Sequence, residues 1–174
     1  MTVTFKGQPM TLVGPDLHVR DRAPDFKLVS GDLKIVTLDD ALEGGKKNAL
    51  LIVVPSLDTG VCSIESQKFN ARIGELPEDI TAYVVSLDLP FAQARWAKEQ
   101  GDVRLQMLSD YRDHSFGPAY GVLIQDLGLL ARAIFIIGKN KTILYKQVVP
   151  EVAQEPDYDD VIAAAEKSSS AVNA

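Results

Sequence analysis

The residues best suited to chemistry lie in the segment Pro55-Ser-Leu-Asp-Thr59-Gly-Val-Cys62. An apolar run, Ala49 to Val54, precedes it and a helical pattern follows, which places Cys62 in the first turn of a helix. Unpaired backbone N–H groups and the positive end of the helix dipole meet there, and both favour a thiolate over a thiol. A thiolate is a usable nucleophile at neutral pH. The competing reading is an inert buried cysteine that packs as a small hydrophobe. Thr59 supplies a hydroxyl that can donate and accept, or simply caps the following helix. Pro55, which has no N–H to leave unsatisfied, shields the thiol or terminates the strand.

Arg132 is the second signal. It interrupts Leu129-Leu-Ala-Arg-Ala-Ile-Phe-Ile-Ile137, a run that otherwise reads as a buried strand. A guanidinium in such a place needs an anionic partner, because an unpaired buried charge is strongly unfavourable. The Cys62 thiolate is one candidate, a structural carboxylate such as Asp58 or Asp110 is another, and a head group reaching water at a strand end is a third. Asp110-Tyr-Arg-Asp-His114 contains acid, base and imidazole, but five adjacent residues do not all converge on one point, so its polar context argues against a catalytic His114. Phe91, Trp96 and Tyr120 are read as pocket or dimer-interface residues, with core packing favoured for Trp96 and Tyr120.

Secondary structure must deliver these groups. Val3 to Phe5 and Met10 to Val13 flank the turn-forming Lys6-Gly7-Gln8-Pro9 and predict an N-terminal β-hairpin. Phe26, Leu28 and Val29 predict a short strand closed by the Gly31-Asp32 turn. Ala49 to Val54 is apolar at both alternating sets of positions, the mark of a strand covered on both faces. Thr81–Leu87, Leu129–Ile137 and Ile143–Val149 share that character, the last two joined by a hairpin turn at Gly138. Helices are predicted over Thr59–Ile73, with Cys62, Phe69 and Ile73 on one stripe, over Pro90–Gln100, and from Pro156 to about Lys167. The pattern is an α/β fold with a mixed central sheet flanked by helices. A single domain is expected over residues 1–167, with 168–174 as a frayed, disordered tail.

The composition narrows the function. The chain has 174 residues, 46% of them hydrophobic, enough for one sizeable core. A net charge of −6 disfavours nucleic acid and anionic membrane surfaces. The N-terminus carries no secretory pattern and no apolar run is long enough to span a bilayer, so a soluble cytoplasmic protein is expected. One cysteine and two histidines exclude an intramolecular disulfide and give no local metal-ligand spacing, so neither a metal nor another cofactor is expected.

Proline, threonine and cysteine at Pro55, Thr59 and Cys62 resemble the C−7, C−3 and C pattern of the peroxiredoxins, and Arg132 lies where that family draws an arginine from a later strand. PSLDTGVC (55 to 62), SLDLPFAQARW (86 to 96), LSDYRDHSFG (108 to 117), YGVLI (120 to 124) and LGLLARA (127 to 133) are similar to the bacterial thiol peroxidases, an atypical two-cysteine subfamily; so are the hairpin and EPDY (155 to 158). The resemblance runs from about residue 2 to residue 167. It implies a thioredoxin-like fold with an N-terminal hairpin, a homodimer, a peroxide substrate and a thiol reductant, usually thioredoxin. It also implies roles: Cys62 as the peroxidatic nucleophile that becomes a sulfenic acid, Arg132 holding the thiolate form and stabilising charge on the leaving oxygen, Thr59 orienting thiolate and peroxide, and Pro55 shielding the sulfur. One position departs from the pattern. Ala97 stands where the subfamily carries its resolving cysteine, so the chain as written performs one-cysteine chemistry, or the alanine is an introduced substitution. A peroxide sensor that passes oxidation to a partner protein is the alternative function, and a redox-inert scaffold a third.

Overall fold

The N-terminal hairpin turns on two residues that both take positive φ, Lys6 at 51° and Gly7 at 78°. This is the twist a two-residue hairpin needs, and Gly7 adopts it without a Cβ penalty. Strand β1 (Thr2–Phe5) therefore pairs directly with β2 (Gln8–Val13), with Phe5 opposite Gln8, a tighter turn than the four residues read from sequence. The computed structural model describes residues 1–172. After the hairpin come β3 (Lys27–Val29), β4 (Ile35–Thr37), α1 (Leu38–Ala41), β5 (Asn48–Val53), α2 (Gly60–Ala71), β6 (Ile80–Ser86), α3 (Pro90–Gln100) and β7 (Gln106–Ser109). The chain closes with α4 (Phe116–Ala119), β8 (Leu123–Ile124), β9 (Leu129–Leu130), β10 (Ala133–Ile137), β11 (Ile143–Val148) and α5 (Tyr158–Val172).

Seven strands form a mixed sheet in the order β11-β10-β5-β6-β7-β3-β4. β5, β6 and β7 run parallel, while β10 and β3 flank them antiparallel. Every residue of β5 is buried because each face of the sheet is covered. Leu51, Val53, Tyr83, Val85 and Phe135 pack on one face against α1, α4 and the hairpin; Leu50, Ile52, Val84 and Ile134 pack on the other against α2, α3 and α5. The alternation follows from the two-residue period of a strand. A smaller sheet, β1-β2-β8-β9, stands beside the main one.

Three sequence expectations need correction. The run Leu129–Ile137 is not one strand: β9 belongs to the small sheet and β10 to the large one, and Ala131 and Arg132 lie between them. The apolar pattern continues through the break because Ala131 is fully buried and its N–H binds the Val122 carbonyl at 2.7 Å. Strand β11 is half-buried at the edge of the sheet rather than covered on both faces. The last helix does not stop near Lys167 but continues through Ser168 to Val172. Ser168 is buried with its hydroxyl on the Ala165 carbonyl of its own helix, and Ser169 donates to Asp79, which ties the helix end to the body where a frayed tail was expected. Residues 173 and 174 lie outside the described residues. At the centre of the sheet, Ile134→Ala is expected to lower the unfolding free energy by about 2–5 kcal/mol, measured by urea denaturation.

Candidate active site

Beyond β5 the chain is fixed by a carboxylate. Asp88 accepts from the Ser56 hydroxyl at 2.6 Å, the Leu57 N–H at 2.8 Å and the Ser86 hydroxyl at 2.8 Å, tying the loop after β5 to the loop after β6. The carbonyl of Ser56 accepts the Thr59 hydroxyl proton at 2.9 Å. Thr59 Oγ1 then receives the Cys62 N–H at 3.4 Å and caps α2. With its proton committed to Ser56, this oxygen offers lone pairs to any further partner. Cys62 occupies the third helical position, in the turn where the dipole is most positive.

Cys62 is fully buried in the apolar cluster that includes Ile52, Leu57 and Trp96. It is not sealed among hydrocarbon alone, because Arg132 reaches it from the junction between β9 and β10. The guanidinium is 2% exposed. Its Nη1 meets Glu65 Oε2 at 2.5 Å and its Nε donates to the Val152 carbonyl at 2.9 Å. Burial pulls its pKa down, but the Glu65 carboxylate and then the Cys62 sulfur, each by charge and hydrogen bonding, push it up and prevail. Arg132 therefore faces both a carboxylate and the Cys62 sulfur, although the carboxylate is neither of those expected. Asp58 pairs with Arg95 at 3.3 Å, and Asp110 accepts the Phe116 and Gly117 N–H groups at 3.0 and 2.9 Å, capping α4.

Glu65 is the residue that sequence reasoning missed. It lies three residues after Cys62, on the same helix face, and is fully buried. Burial pushes its carboxyl up to about 7 against the pull of Arg132. Its Oε1 has no hydrogen-bond partner among the described residues. The expected stripe of Cys62, Phe69 and Ile73 is in fact Cys62, Glu65, Ser66 and Phe69, so a polar pair interrupts the apolar face where Arg132 docks.

A cleft of about 430 Å³ opens beside this cluster, with Phe5, Pro55, Thr59, Val61, Leu129 and Arg132 among its lining residues. Three of the four residues picked out in the sequence thus share one wall, and Cys62 is the next residue after Val61. The other candidates lie elsewhere. Trp96 is buried with Nε1 donating to Ser63 Oγ at 2.9 Å, Tyr120 stacks on Phe116 at 4.3 Å, and Phe91 is 67% exposed. Ala97 packs against the same apolar cluster as Cys62, and His114 is exposed. Among the described residues no three His, Cys, Asp or Glu side chains gather as metal ligands would.

The sheet order and the capped helix define a thioredoxin-like protein with its lone cysteine in the first turn of a helix. Residues 18–162 match the Redoxin family model. The chain is 48% identical to the thiol peroxidase of Halalkalibacterium halodurans, over 94% of its own length and 96% of the relative's. It is 44% identical to that of Bacillus subtilis, over 94% and 95%. A crystal structure of a peroxiredoxin-like protein from Aquifex aeolicus superimposes with a TM-score of 0.88 at 42% identity, covering 95% of this chain and 96% of that one. The chain belongs to the redoxin family, among its bacterial thiol peroxidases.

Since the Glu65 carboxyl moves from an ordinary 4.5 to about 7 on folding, the folded state holds a proton there that the unfolded state has lost. Stability should therefore fall as pH rises through that interval. Glu65→Gln is expected to flatten this part of the profile, measured by urea unfolding across the interval.

Proposed function

We propose that Cys62 is the attacking thiolate of a thiol-dependent peroxidase and that Arg132 holds it in its reactive charge state. The observation that carries this reading is the shared guanidinium, which faces the sulfur and the Glu65 carboxylate at once. Cys62 attacks the terminal oxygen of a hydroperoxide, an S–O bond forms as the O–O bond breaks, and the alkoxide or hydroxide that leaves takes a proton from solvent. Thr59 Oγ1, whose own hydrogen is donated to the Ser56 carbonyl, accepts a hydrogen bond from the hydroxyl of the incoming peroxide, and that hydrogen stays on the sulfenic oxygen. Arg132 stabilises charge passing to the leaving oxygen. Pro55 forms part of the wall that keeps water from the sulfur.

The reductant is a thiol. As Cys62 is the only cysteine, the sulfenic acid has no partner within the chain. An external thiol attacks it, water leaves, and a second thiol resolves the mixed disulfide. Ala97 follows Trp96 in α3, which packs along α2, and an alanine there supplies no thiol, so the one-cysteine route is the one open to the chain. A thioredoxin-type dithiol suits both steps. The apolar side chains of the cleft favour organic hydroperoxides as well as hydrogen peroxide. We further assign the chain to the cytoplasm, as a single domain that forms a homodimer; exposed Leu89 and Phe91 at the start of α3 support an apolar contact of that kind.

Intact-mass spectrometry after one equivalent of peroxide tests this reading. A gain of one oxygen that disappears with added dithiol is expected, and an unchanged mass would refute it. Cys62→Ser should abolish turnover, and Arg132→Lys should slow oxidation by at least about tenfold because a point charge cannot reproduce the planar fork.

A further inference from the structure

One face of the cleft is built by a segment remote from the thiol, and a carboxylate holds it there. Glu151 accepts from the Thr4 hydroxyl at 2.5 Å, the Lys6 N–H at 2.8 Å, the Gly7 N–H at 3.2 Å and the Ala153 N–H at 3.3 Å. Three of these donors lie in β1 and the turn after it. Backbone bonds flank the carboxylate: Thr4 N–H to the Pro150 carbonyl at 2.7 Å and Val152 N–H to the Thr4 carbonyl at 2.8 Å. The segment so fastened contributes Phe5, Lys6, Val152 and Ala153 to the cleft. The hydrogen bonds from Thr4 and the Lys6 amide lead in holding the Glu151 carboxyl at about 2, so it stays charged across the neutral range.

We propose that Glu151 is a positioning residue that sets specificity, latching the hairpin tip so that Phe5 forms a fixed wall for the organic part of a hydroperoxide. The inference rests on the peroxidase reading above. Hydrogen peroxide has no organic group to lay against Phe5 and needs only the sulfur, Thr59 and Arg132. A bulky alkyl or aryl hydroperoxide must also touch the wall, and its rate depends on whether that wall is ordered before it arrives. Arg132 keeps its ion pair to Glu65 without the latch, its carbonyl accepts the Val149 N–H at 3.0 Å, and the Val152 carbonyl that accepts from its Nε is still held by the Val152 N–H on the Thr4 carbonyl at 2.8 Å. Losing the latch should therefore separate the two substrate classes.

The test compares kcat/KM for hydrogen peroxide and for cumene hydroperoxide in the full chain and in Glu151→Ala, with a dithiol reductant. The expected result is a cumene-to-hydrogen-peroxide ratio lowered roughly fivefold or more, mainly through a higher KM for cumene hydroperoxide. Thr4→Val removes one of the four donors and should move the ratio the same way by a smaller factor; it carries the test if Glu151→Ala does not fold. A ratio unchanged in the folded variants, or both rates falling in proportion, would overturn the proposal. A parent chain that consumes neither peroxide would instead overturn the peroxidase reading.

Discussion

A guanidinium as deeply buried as that of Arg132 has to be neutralised, and the way it is neutralised organises the site. Its Nη1 is paired with Glu65, its Nε is spent on the Val152 carbonyl, and its remaining field falls on the Cys62 sulfur. One carboxylate and one thiol thus compete for the same cation. With Glu65 ionised the pair is satisfied and leaves donors over for sulfur; with Glu65 protonated the cation has only sulfur to answer it.

The fold serves this cluster by bringing three distant segments to one place. β5 ends beneath the loop that holds Pro55 and Thr59, and Asp88 pins that loop from the end of β6. The break between β9 and β10 takes Ala131 and Arg132 out of both sheets, and Arg132 is the one charge in that otherwise apolar run. The N-terminal hairpin closes over the same corner, so Phe5 near the start of the chain, Thr59 and Val61 beside Cys62, and Leu129 and Arg132 from the last third all line one cleft. A rigid sheet beneath and a clasped loop above leave little room for the groups to drift, which is what orientation-dependent chemistry requires.

Much of this was legible in the sequence, for reasons that differ by residue. Pro55, Thr59 and Cys62 are local: a strand end, a cap and a first helical turn can be read within eight residues. Arg132 declared itself as a charge in an apolar run. Glu65 was hidden because its partner is 67 residues away and its neighbours Ser63, Ser66 and Gln67 are polar too, so nothing local separates the buried face from the wet one. The helical period does hold a clue, since three residues past a buried Cys62 is the same side of α2. The split of Leu129–Ile137 was invisible because Ala131 and Arg132 are both buried, one against backbone and the other against an anion. The end of α5 is tied down by the burial of Ser168 and by Ser169 finding Asp79, features that a run of three serines does not announce.

The proposed pairing of Arg132 with the Cys62 sulfur is tested most directly by the far-ultraviolet absorbance of a thiolate. At neutral pH the reduced chain should show the thiolate band, and Arg132→Met, folded by circular dichroism, should lose most of it. An equal band in both proteins, or none in the parent chain, would contradict the assignment.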